Sequence, residues 1–555
     1  MSKLPQNASS SRRLRESFSR ALVYTPILMA ILLMLPRLIA PQFGLFDDGR
    51  TLVTAEKISH GTWYTGQDSI EGRFRPMHWL WFTLSYLIGG KSPFWFYITN
   101  TLALVLIVAA MILLVRAIGG SRLQAFLAGS SFVLAGPVVE SFLTLKGEVL
   151  QLMLILFSLL VALLYKRART RGQKVGVVAL TTALLLLADM TKETAIVLLP
   201  ISLAWYLLAR FWPGYIKDPA QRATRRAYLL ANLLAVPLFF LARTAAFSAQ
   251  ISTGTYSGQY AFQAGQIAIS ALRWAGWLVR DFTWVLPLAL LVIVLAVSQR
   301  RLNNFAILVD SFIWMGAWVC VYLPWNFMAE YYMLPFALGG SIFASALIGE
   351  IAPALSKSGW KQWMASIFIV LSGILIIGHL LNNLTNAHIQ LTVDSANAKM
   401  MNFLAQQTEP DSHILVNIQY PNEYFYEMQT QLKELYTRPD LNVLTFRPDM
   451  SLPSDGKATY IVSPFVKNEP LLTVRMGVIE NSQRDWDTTL HGFLQTKPGS
   501  QVVYEMTAGF QLSNVDYPRV FCPLIKTRLF CAAPAPVVDT RPFDYGWKVY
   551  KLINP

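Results

Sequence analysis

Charged residues are scarce in this chain of 555 residues: Asp, Glu, Lys and Arg together make up 14%, whereas a soluble domain has about 25%. The chain contains three cysteines and six histidines. The scarcity of charge excludes a disordered chain and an ordinary soluble enzyme, and so few cysteines exclude a disulfide scaffold. The sequence also lacks a P-loop, a dinucleotide-binding glycine fingerprint, a His/Cys zinc pattern and a nucleophile elbow. Nucleotide hydrolysis and histidine-based metalloprotease chemistry therefore have little support.

Hydrophobic residues, in contrast, make up 54% of the chain and aromatic residues 13%. They form long apolar runs, which predict an all-α polytopic membrane protein with about eleven transmembrane helices. The predicted spans are 21–40, 94–115, 123–138, 148–165, 175–190, 194–209, 227–241, 282–298, 305–323, 332–351 and 363–381. The segment 77–90 is apolar but too short for a crossing, so it predicts an interfacial or re-entrant helix.

Basic residues are unevenly distributed among the predicted loops. The net charge is +15, and most Lys and Arg residues of the membrane part fall on one side of the eleven-span arrangement, including segments 1–20 and 166–174. The positive-inside rule makes that side cytoplasmic. The same rule accounts for the basic charge without a nucleic-acid partner. The acidic residues lie mostly at the opposite, outer face, which indicates polar chemistry there.

These patterns divide the chain into three regions. Residues 1–20 form a basic cytoplasmic N-terminus, residues 21–386 form a transmembrane domain with an outer loop at 42–93, and residues 387–555 form an extracytoplasmic domain. In the last region, helix-like segments at 395–407 and 424–436 alternate with strand-like segments at 413–418, 443–446 and 459–462, which predicts a soluble α/β domain. Cys522 and Cys531 there are either a disulfide or two thiols. We expect the protein in a bacterial inner membrane, because no endoplasmic-reticulum retention signal is present.

Two adjacent carboxylates, Asp47 and Asp48, lie a few residues beyond the first predicted span. Such a pair can bind a divalent cation such as Mg²⁺ or Mn²⁺, or one carboxylate can act as a general base that the other orients. The alternative is a solvated helix cap, a position in which Asp is common.

Further charged residues lie at the outer ends of the predicted spans. Arg73 and Arg75 stand among aromatic residues, where they predict either a phosphate clamp or an interfacial anchor. Lys192 and Glu193 lie between two spans with almost no loop, a costly position that indicates an internal ion pair or a phosphate-binding cation. The remaining candidates for contacts with a substrate or a metal are Glu140, Lys146, Glu148, Glu330 and Tyr331.

In their order along the chain, these features resemble the GT-C class of integral-membrane glycosyltransferases. The likeness is strongest to the membrane part of the tetratricopeptide-linked O-mannosyltransferases and their bacterial relatives, and it covers roughly residues 21–350. The motifs that carry it read Asp47-Asp48, Phe74-Arg75-Pro76, Pro137-Val138-Val139-Glu140, Thr191-Lys192-Glu193 and Ala329-Glu330-Tyr331-Tyr332 followed by Leu334-Pro335.

The resemblance implies a GT-C-like fold and a hexosyl- or pentosyltransferase that uses a polyprenyl-phosphate-linked sugar. Asp47 or Asp48 would take a proton from the acceptor hydroxyl, with inversion at the anomeric carbon. The implied partners are the lipid-linked donor, a glycan, lipid or protein acceptor, and membrane lipids; a divalent cation is compatible with the reaction but not required. The residues that this resemblance assigns to the donor phosphate are Arg73, Arg75, Lys192 and Glu193.

Three other functions fit parts of the pattern. An oligosaccharide ligase or polymerase would use a diphosphate-linked glycan. A secondary transporter would have inverted repeats and ionisable groups near the midplane. The sequence shows no repeat. Asp310 lies within a predicted span, and the alternative to a transport role for it is an interhelical hydrogen bond. A non-catalytic assembly protein would bind a partner through its outer domain.

Overall fold

The computed structural model describes most of the membrane part and much of the C-terminal region. The described residues are 21–45, 47–62, 68, 73–212, 214–247, 260–299, 302–325, 329–355, 359–418, 421–467, 483–497, 499–511, 514–515 and 538–552. The predicted N-terminal segment 1–20 and the possible disulfide between Cys522 and Cys531 lie outside these residues.

Each of the eleven predicted spans contains a helix, and four further helices lie between them in the part of the chain that the structure describes. In chain order the helices are α1 (Thr25–Ile39), α2 (Asp48–Ser59), α3 (Pro76–Gly89), α4 (Pro93–Ala117), α5 (Arg122–Val133), α6 (Gly136–Leu143), α7 (Glu148–Leu163), α8 (Arg171–Asp189), α9 (Leu198–Phe211), α10 (Pro219–Phe247), α11 (Ala264–Phe282), α12 (Val285–Gln299), α13 (Phe305–Tyr322), α14 (Leu334–Leu355) and α15 (Trp360–Gln407).

Among the described residues, eight helices are long and apolar enough to cross a membrane, and nine if α5 and α6, bent by 59°, form one span. The shorter apolar helices are α1 and the part of α12 at Val285–Val297. The protein is therefore a multi-pass membrane protein, and the predicted all-α membrane architecture is confirmed. The side on which each loop lies stays a prediction from the charge distribution.

Three breaks interrupt the helices of the bundle. Pro137 lies in the first turn of α6, where its missing N–H is tolerated. Short 3₁₀ helices at Glu193–Val197 and Glu330–Met333 precede α9 and α14. Non-helical backbone at membrane depth is tolerated where it is enclosed by protein or lines a polar cavity. The breaks therefore allow polar motif residues to enter an otherwise apolar bundle.

The segment 42–93, which is predicted to be an outer loop, contains the helices α2 and α3, which pack against each other. The α3 helix has 14 residues, so it is too short for a crossing and agrees with the predicted helix at 77–90. It buries Trp79 and Phe82 and also packs against α4. The α2 helix was not predicted, because its sequence has little apolar periodicity.

The last membrane helix continues directly into the C-terminal domain. The α15 helix has 48 residues, a length of about 72 Å at 1.5 Å per residue. The predicted domain boundary at residue 387 falls within it. Asn397 on this helix accepts hydrogen bonds through Oδ1 from Tyr545 Oη at 2.8 Å and Trp547 Nε1 at 2.9 Å. Since all three side chains are buried, α15 forms part of the core of the C-terminal domain.

A mixed five-stranded sheet packs against α15. The elements of this region are β1 (His413–Val416), α16 (Pro421–Glu434), β2 (Asn442–Thr445), β3 (Thr459–Lys467), α17 (Gln483–Gln495), β4 (Gln501–Gln511), β7 (Pro542–Leu552) and a separate ladder of β5 (Asn514–Val515) with β6 (Val538–Asp539). The strand order in the sheet is β2-β1-β3-β7-β4; β1 pairs in parallel with β2 and β3, and β7 pairs antiparallel with β3 and β4. The α/β character is confirmed, although β4, β7 and α17 were not predicted.

Candidate active site

Asp47 and Asp48 direct their carboxylates into different surroundings. Asp47 has a φ of 65°, in the left-handed region that Asp tolerates better than most residues. Its side chain is 43% exposed, whereas Asp48 is 2% exposed. Asp48 Oδ2 accepts hydrogen bonds from Gly44 N–H at 2.7 Å and Tyr97 Oη at 3.3 Å. The left-handed residue thus separates an accessible carboxylate from one that turns into the protein.

The charge states of the two carboxylates differ because their surroundings differ. Burial acts to raise the pKa of Asp47, but the ammonium of Lys146, 2.8 Å from Asp47 Oδ2, lowers it to about 2 with help from Arg50 and Arg75. Burial raises the pKa of Asp48 to about 7, against the hydrogen bond from Gly44. Asp47 is therefore ionised at neutral pH, while Asp48 titrates close to neutrality.

Lys146 connects Asp47 with the Lys192 segment. The Lys146 side chain is 5% exposed, and its Nζ lies 5.2 Å from the centre of the Tyr331 ring. Lys192 Nζ lies 5.5 Å from the centre of the same ring and forms an ion pair with Glu148. Both distances are within the range of a cation–π contact. Asp47, Lys146, Tyr331 and Lys192, which are far apart in the chain, therefore lie side by side.

Three arginines surround the buried carboxylate of Asp68. Arg75 NH2 lies 2.6 Å and Arg50 NH2 3.1 Å from Asp68 Oδ1, and Arg73 Nε lies 3.5 Å from the same oxygen. Trp79 Nε1 donates to Asp68 Oδ2 at 2.9 Å. These residues form an arginine cluster (Arg50, Arg73 and Arg75 around Asp68), in which three guanidinium groups converge on one buried carboxylate. The cluster also adjoins Asp47, whose pKa Arg50 and Arg75 lower.

Glu193 fixes the aromatic-arginine segment to the break before α9. Its Oε1 accepts a hydrogen bond from Phe74 N–H at 2.7 Å, and Met77 N–H donates to Met190 O at 3.2 Å. Lys192 has an extended backbone, with φ −160° and ψ 128°. In extended backbone, consecutive side chains point to opposite sides. Lys192 accordingly pairs with Glu148, while Glu193 contacts the arginine-bearing segment.

Glu140 and Glu330 are buried on neighbouring elements. Glu140 belongs to α6 and Glu330 to the 3₁₀ helix Glu330–Met333, and these two elements pack together. Thr144 Oγ1 donates to the backbone carbonyl of Glu140 at 2.7 Å. Both acids therefore lie at breaks of the bundle, as their motifs indicated.

The described residues include no group of three or more His, Cys, Asp or Glu side chains that could hold a metal ion. Asp47 is paired with Lys146, and Asp48 faces Gly44 and Tyr97. One oxygen of each carboxylate is therefore engaged by another group of the protein.

Several residues that shape the site were not singled out by their sequence pattern. Arg50 follows Asp47 by three residues in the chain, and this closeness to the two aspartates is the signal that could have indicated it. Asp68 carried no local motif. Glu427 on α16 contacts the backbone of Gly49 and Arg50 from the C-terminal domain, and nothing in its local sequence predicts a partner so distant in the chain.

A separate cavity of about 550 Å³ lies among α4, α7, α10, α13 and α14. It is lined by loop residues that the charge pattern assigns to the cytoplasmic side, including Lys166 and Lys217, and by none of the predicted site residues. At its edge, Asp310 forms an ion pair with Arg225 and accepts a hydrogen bond from Tyr215. Asp310 thus makes the interhelical contact that was the alternative to a transport role.

The fold is similar to solved structures of two membrane proteins. ArnT from Cupriavidus metallidurans in the apo state has a TM-score of 0.50 and 13% identity, over 88% of this chain and 96% of that chain. The Archaeoglobus fulgidus oligosaccharyltransferase in the apo form has a TM-score of 0.52 and 9% identity, over 97% of this chain and 89% of that chain. ArnT bound to undecaprenyl phosphate has a TM-score of 0.48 and 15% identity, over 90% and 96% of the two chains.

No protein-family model and no curated protein sequence matches the chain. At the identities of the structural matches, the likeness establishes the fold. ArnT and the oligosaccharyltransferase are GT-C glycosyltransferases, and the GT-C-like fold expected from the motif order is therefore confirmed.

Proposed function

We propose that this GT-C-fold protein is a glycosyltransferase that moves a sugar from a polyprenyl-phosphate-linked donor to an acceptor hydroxyl. The observation that carries the proposal is the row of Asp47, Lys146, Tyr331 and Lys192 beside the arginine cluster. It combines one accessible, ionised carboxylate with several cations in a site enclosed by protein. ArnT, a protein of similar fold, has been solved bound to undecaprenyl phosphate, a lipid monophosphate of the proposed class.

Asp47 is the proposed base for the acceptor hydroxyl. Its carboxylate is accessible and ionised, whereas Asp48 is buried against Gly44 and Tyr97. The hydroxyl becomes acidic as its oxygen bonds to the anomeric carbon, so a carboxylate of low pKa accepts the proton late in the step. The proposed roles leave Asp48 to hold the loop that carries Asp47.

Lys192 and the arginine cluster are the proposed cations for the departing phosphate. A phosphate leaves readily when positive charge balances the charge that develops on it, and such charge is most effective where water is excluded. Lys192 Nζ lies 5.5 Å and Lys146 Nζ 5.2 Å from the centre of the Tyr331 ring, so the proposed phosphate-binding cation and the partner of the proposed base lie close to one side chain. Inversion at the anomeric carbon is the stereochemistry proposed for a single displacement with Asp47 as base.

The site is proposed to face the extracytoplasmic side of a bacterial inner membrane, with a glycan, lipid or protein as acceptor. An oligosaccharide ligase or polymerase that uses a diphosphate-linked glycan is the second candidate. The specific observation in its favour is the arginine cluster, in which three guanidinium groups converge on Asp68. A guanidinium group binds phosphate oxygens in pairs, so several of them would also suit a donor with a second phosphate.

The test is transfer by the purified protein in vesicles of phosphatidylethanolamine and phosphatidylglycerol. Undecaprenyl-phosphate and undecaprenyl-diphosphate pentoses and hexoses are supplied as donors with lipid, glycan and peptide acceptors, and release of the lipid phosphate is measured. We expect release of the lipid phosphate from monophosphate donors. Asp47→Asn should lower the rate of release by about 10²–10⁴-fold. Gln429→Ala, an exposed control on α16, should release the lipid phosphate at the wild-type rate. Turnover of diphosphate donors alone would refute the donor class, and inactivity with both would refute the proposed reaction.

A further inference from the structure

The C-terminal domain reaches the loop that carries Asp47. Glu427 on α16 accepts a hydrogen bond from Gly49 N–H at 2.5 Å through Oε2 and from Arg50 N–H at 3.1 Å through Oε1. One turn further along α16, Gln431 Nε2 donates to Gly44 O at 2.7 Å. Glu427 is 2% and Gln431 3% exposed, so both contacts are shielded from water.

The contact is closely fitted at Gly49. A Cβ atom at this position would lie 2.6 Å from Glu427 Oε2 and 3.3 Å from Gln431 Cγ, and real Cβ contacts are almost never as short as the first. Gly44 is engaged on both sides, because its N–H donates to Asp48 while its carbonyl accepts from Gln431. The loop before α2 is therefore held between Asp48 and the C-terminal domain.

Glu427 performs for α2 the task that an N-cap residue usually performs for its own helix. The first N–H groups of a helix have no partner within it, and an Asp at the N-cap normally accepts from them. Asp47 is the N-cap residue of α2, yet its side chain makes no capping hydrogen bond. Instead, the Asp47 carboxylate pairs with Lys146, and Glu427 binds the N–H groups of Gly49 and Arg50.

We propose that Glu427 and Gln431 are positioning residues, through which the C-terminal domain caps α2 in place of Asp47 and so keeps the Asp47 carboxylate directed at Lys146. The proposal rests on the role of Asp47 given under Proposed function. Without Glu427, the Asp47 carboxylate could turn to the free N–H groups at the start of α2 and leave Lys146. The C-terminal domain would thus act on the transfer step without contacting the sugar.

The first test needs no substrate. Hydrogen–deuterium exchange of the full-length protein is followed in peptides that cover residues 44–52 and, as a reference, β1 and β3. We expect Glu427→Ala to accelerate exchange of the Gly49 and Arg50 amides about tenfold, the size of a lost helix cap, with the strand peptides unchanged. Gln429→Ala on the same helix should leave both regions unchanged. Equal acceleration in the strands, or none in the loop, would overturn the proposal even if transfer activity is absent.

The second test is a double-mutant cycle with Gly49→Ala, read as kcat and as the KM for an undecaprenyl-phosphate sugar. Glu427→Ala should lower kcat about tenfold and leave KM unchanged, because the proposed phosphate-binding cations lie elsewhere. Gly49→Ala should cause a similar loss, since its Cβ displaces Glu427, and the double variant should be no worse than either single one. Losses that multiply to about a hundredfold, or a change confined to KM, would refute the coupling. Glu427→Gln, which keeps one acceptor oxygen, should recover part of the loss.

Discussion

Replacing Asp47 by Asn should have two separable consequences, because the carboxylate serves both as proposed base and as partner of Lys146. The substitution keeps the shape of the side chain and removes its charge. Lys146 is 5% exposed and its Nζ lies 2.8 Å from Asp47 Oδ2. The substitution therefore removes the ion pair with a buried ammonium, in addition to removing the proton acceptor.

The two effects have different magnitudes. Breaking a buried ion pair costs about 3–5 kcal/mol, and an exposed pair is worth about 0–1 kcal/mol. With one side chain buried and the other 43% exposed, we expect Asp47→Asn to lower the free energy of unfolding by about 1–3 kcal/mol. The loss of general-base catalysis should lower kcat by about 10²–10⁴-fold.

Lys146→Met and the double variant Asp47→Asn/Lys146→Met distinguish the two effects. Methionine fills much of the lysine volume without charge, so the double variant contains neither charge of the ion pair. We expect its thermal stability in detergent to return close to that of the wild type, while transfer of an undecaprenyl-phosphate sugar stays at the level of Asp47→Asn. A double variant that regains transfer together with stability would show that Asp47 acts only through the ion pair, and the assignment as base would be refuted.

Two further predictions concern the cations and the pH dependence of stability. Lys192→Met should weaken binding of undecaprenyl phosphate about 10–100-fold, the value of one charge-assisted contact. Glu148→Gln keeps the ammonium of Lys192 and should not weaken this binding. Isothermal titration in detergent measures both affinities, and equal losses would contradict a phosphate-binding lysine. Burial, with the charges of Asp47 and Asp48, raises the pKa of Glu427 to about 8. The folded state then binds this proton more tightly than the unfolded state does. Protonation of Glu427 therefore contributes fully to the free energy of unfolding below about pH 4.5, and this contribution is lost as the pH rises to about 8. Thermal melts of Glu427→Gln between these pH values should fall less steeply than those of the wild type, and parallel slopes would refute this titration.

The membrane spans could be predicted because an apolar run longer than the bilayer requires has few alternatives. The end of the last span could not be located in this way. Hydropathy falls after residue 381, yet α15 continues to Gln407. Beyond the span, the polar residue Asn397 is buried against Tyr545 and Trp547, so this part of the helix packs against the sheet. Because the residues that pack there include polar ones, the fall in hydropathy predicts the end of the helix.

Residues of the site could be nominated from the sequence, but their pairing could not. Lys192 and Glu193 are adjacent in the chain and were considered as a pair, yet the extended backbone at Lys192 separates them and Glu148 becomes the partner. Glu427 illustrates the opposite problem. Its contact with Gly49 spans 378 positions of the chain, and an acid on an amphipathic helix carries no local sign of such a contact.

The two adjacent aspartates, which the sequence could not distinguish, lead to opposite expectations for the same substitution. In Asp48→Asn the amide oxygen can still accept from Gly44 N–H and Tyr97 Oη, as Oδ2 does now. Because burial raises the pKa of Asp48 to about 7, a neutral side chain there costs little. Asp48→Asn should therefore reduce transfer less than tenfold, whereas Asp48→Ala should lower the thermal stability, since a buried N–H and a hydroxyl each lose a partner worth about 1–3 kcal/mol. If Asp48→Asn abolished transfer as completely as Asp47→Asn at unchanged stability, the buried carboxylate would have to take part in the reaction, and the division of roles drawn from their burial would be wrong.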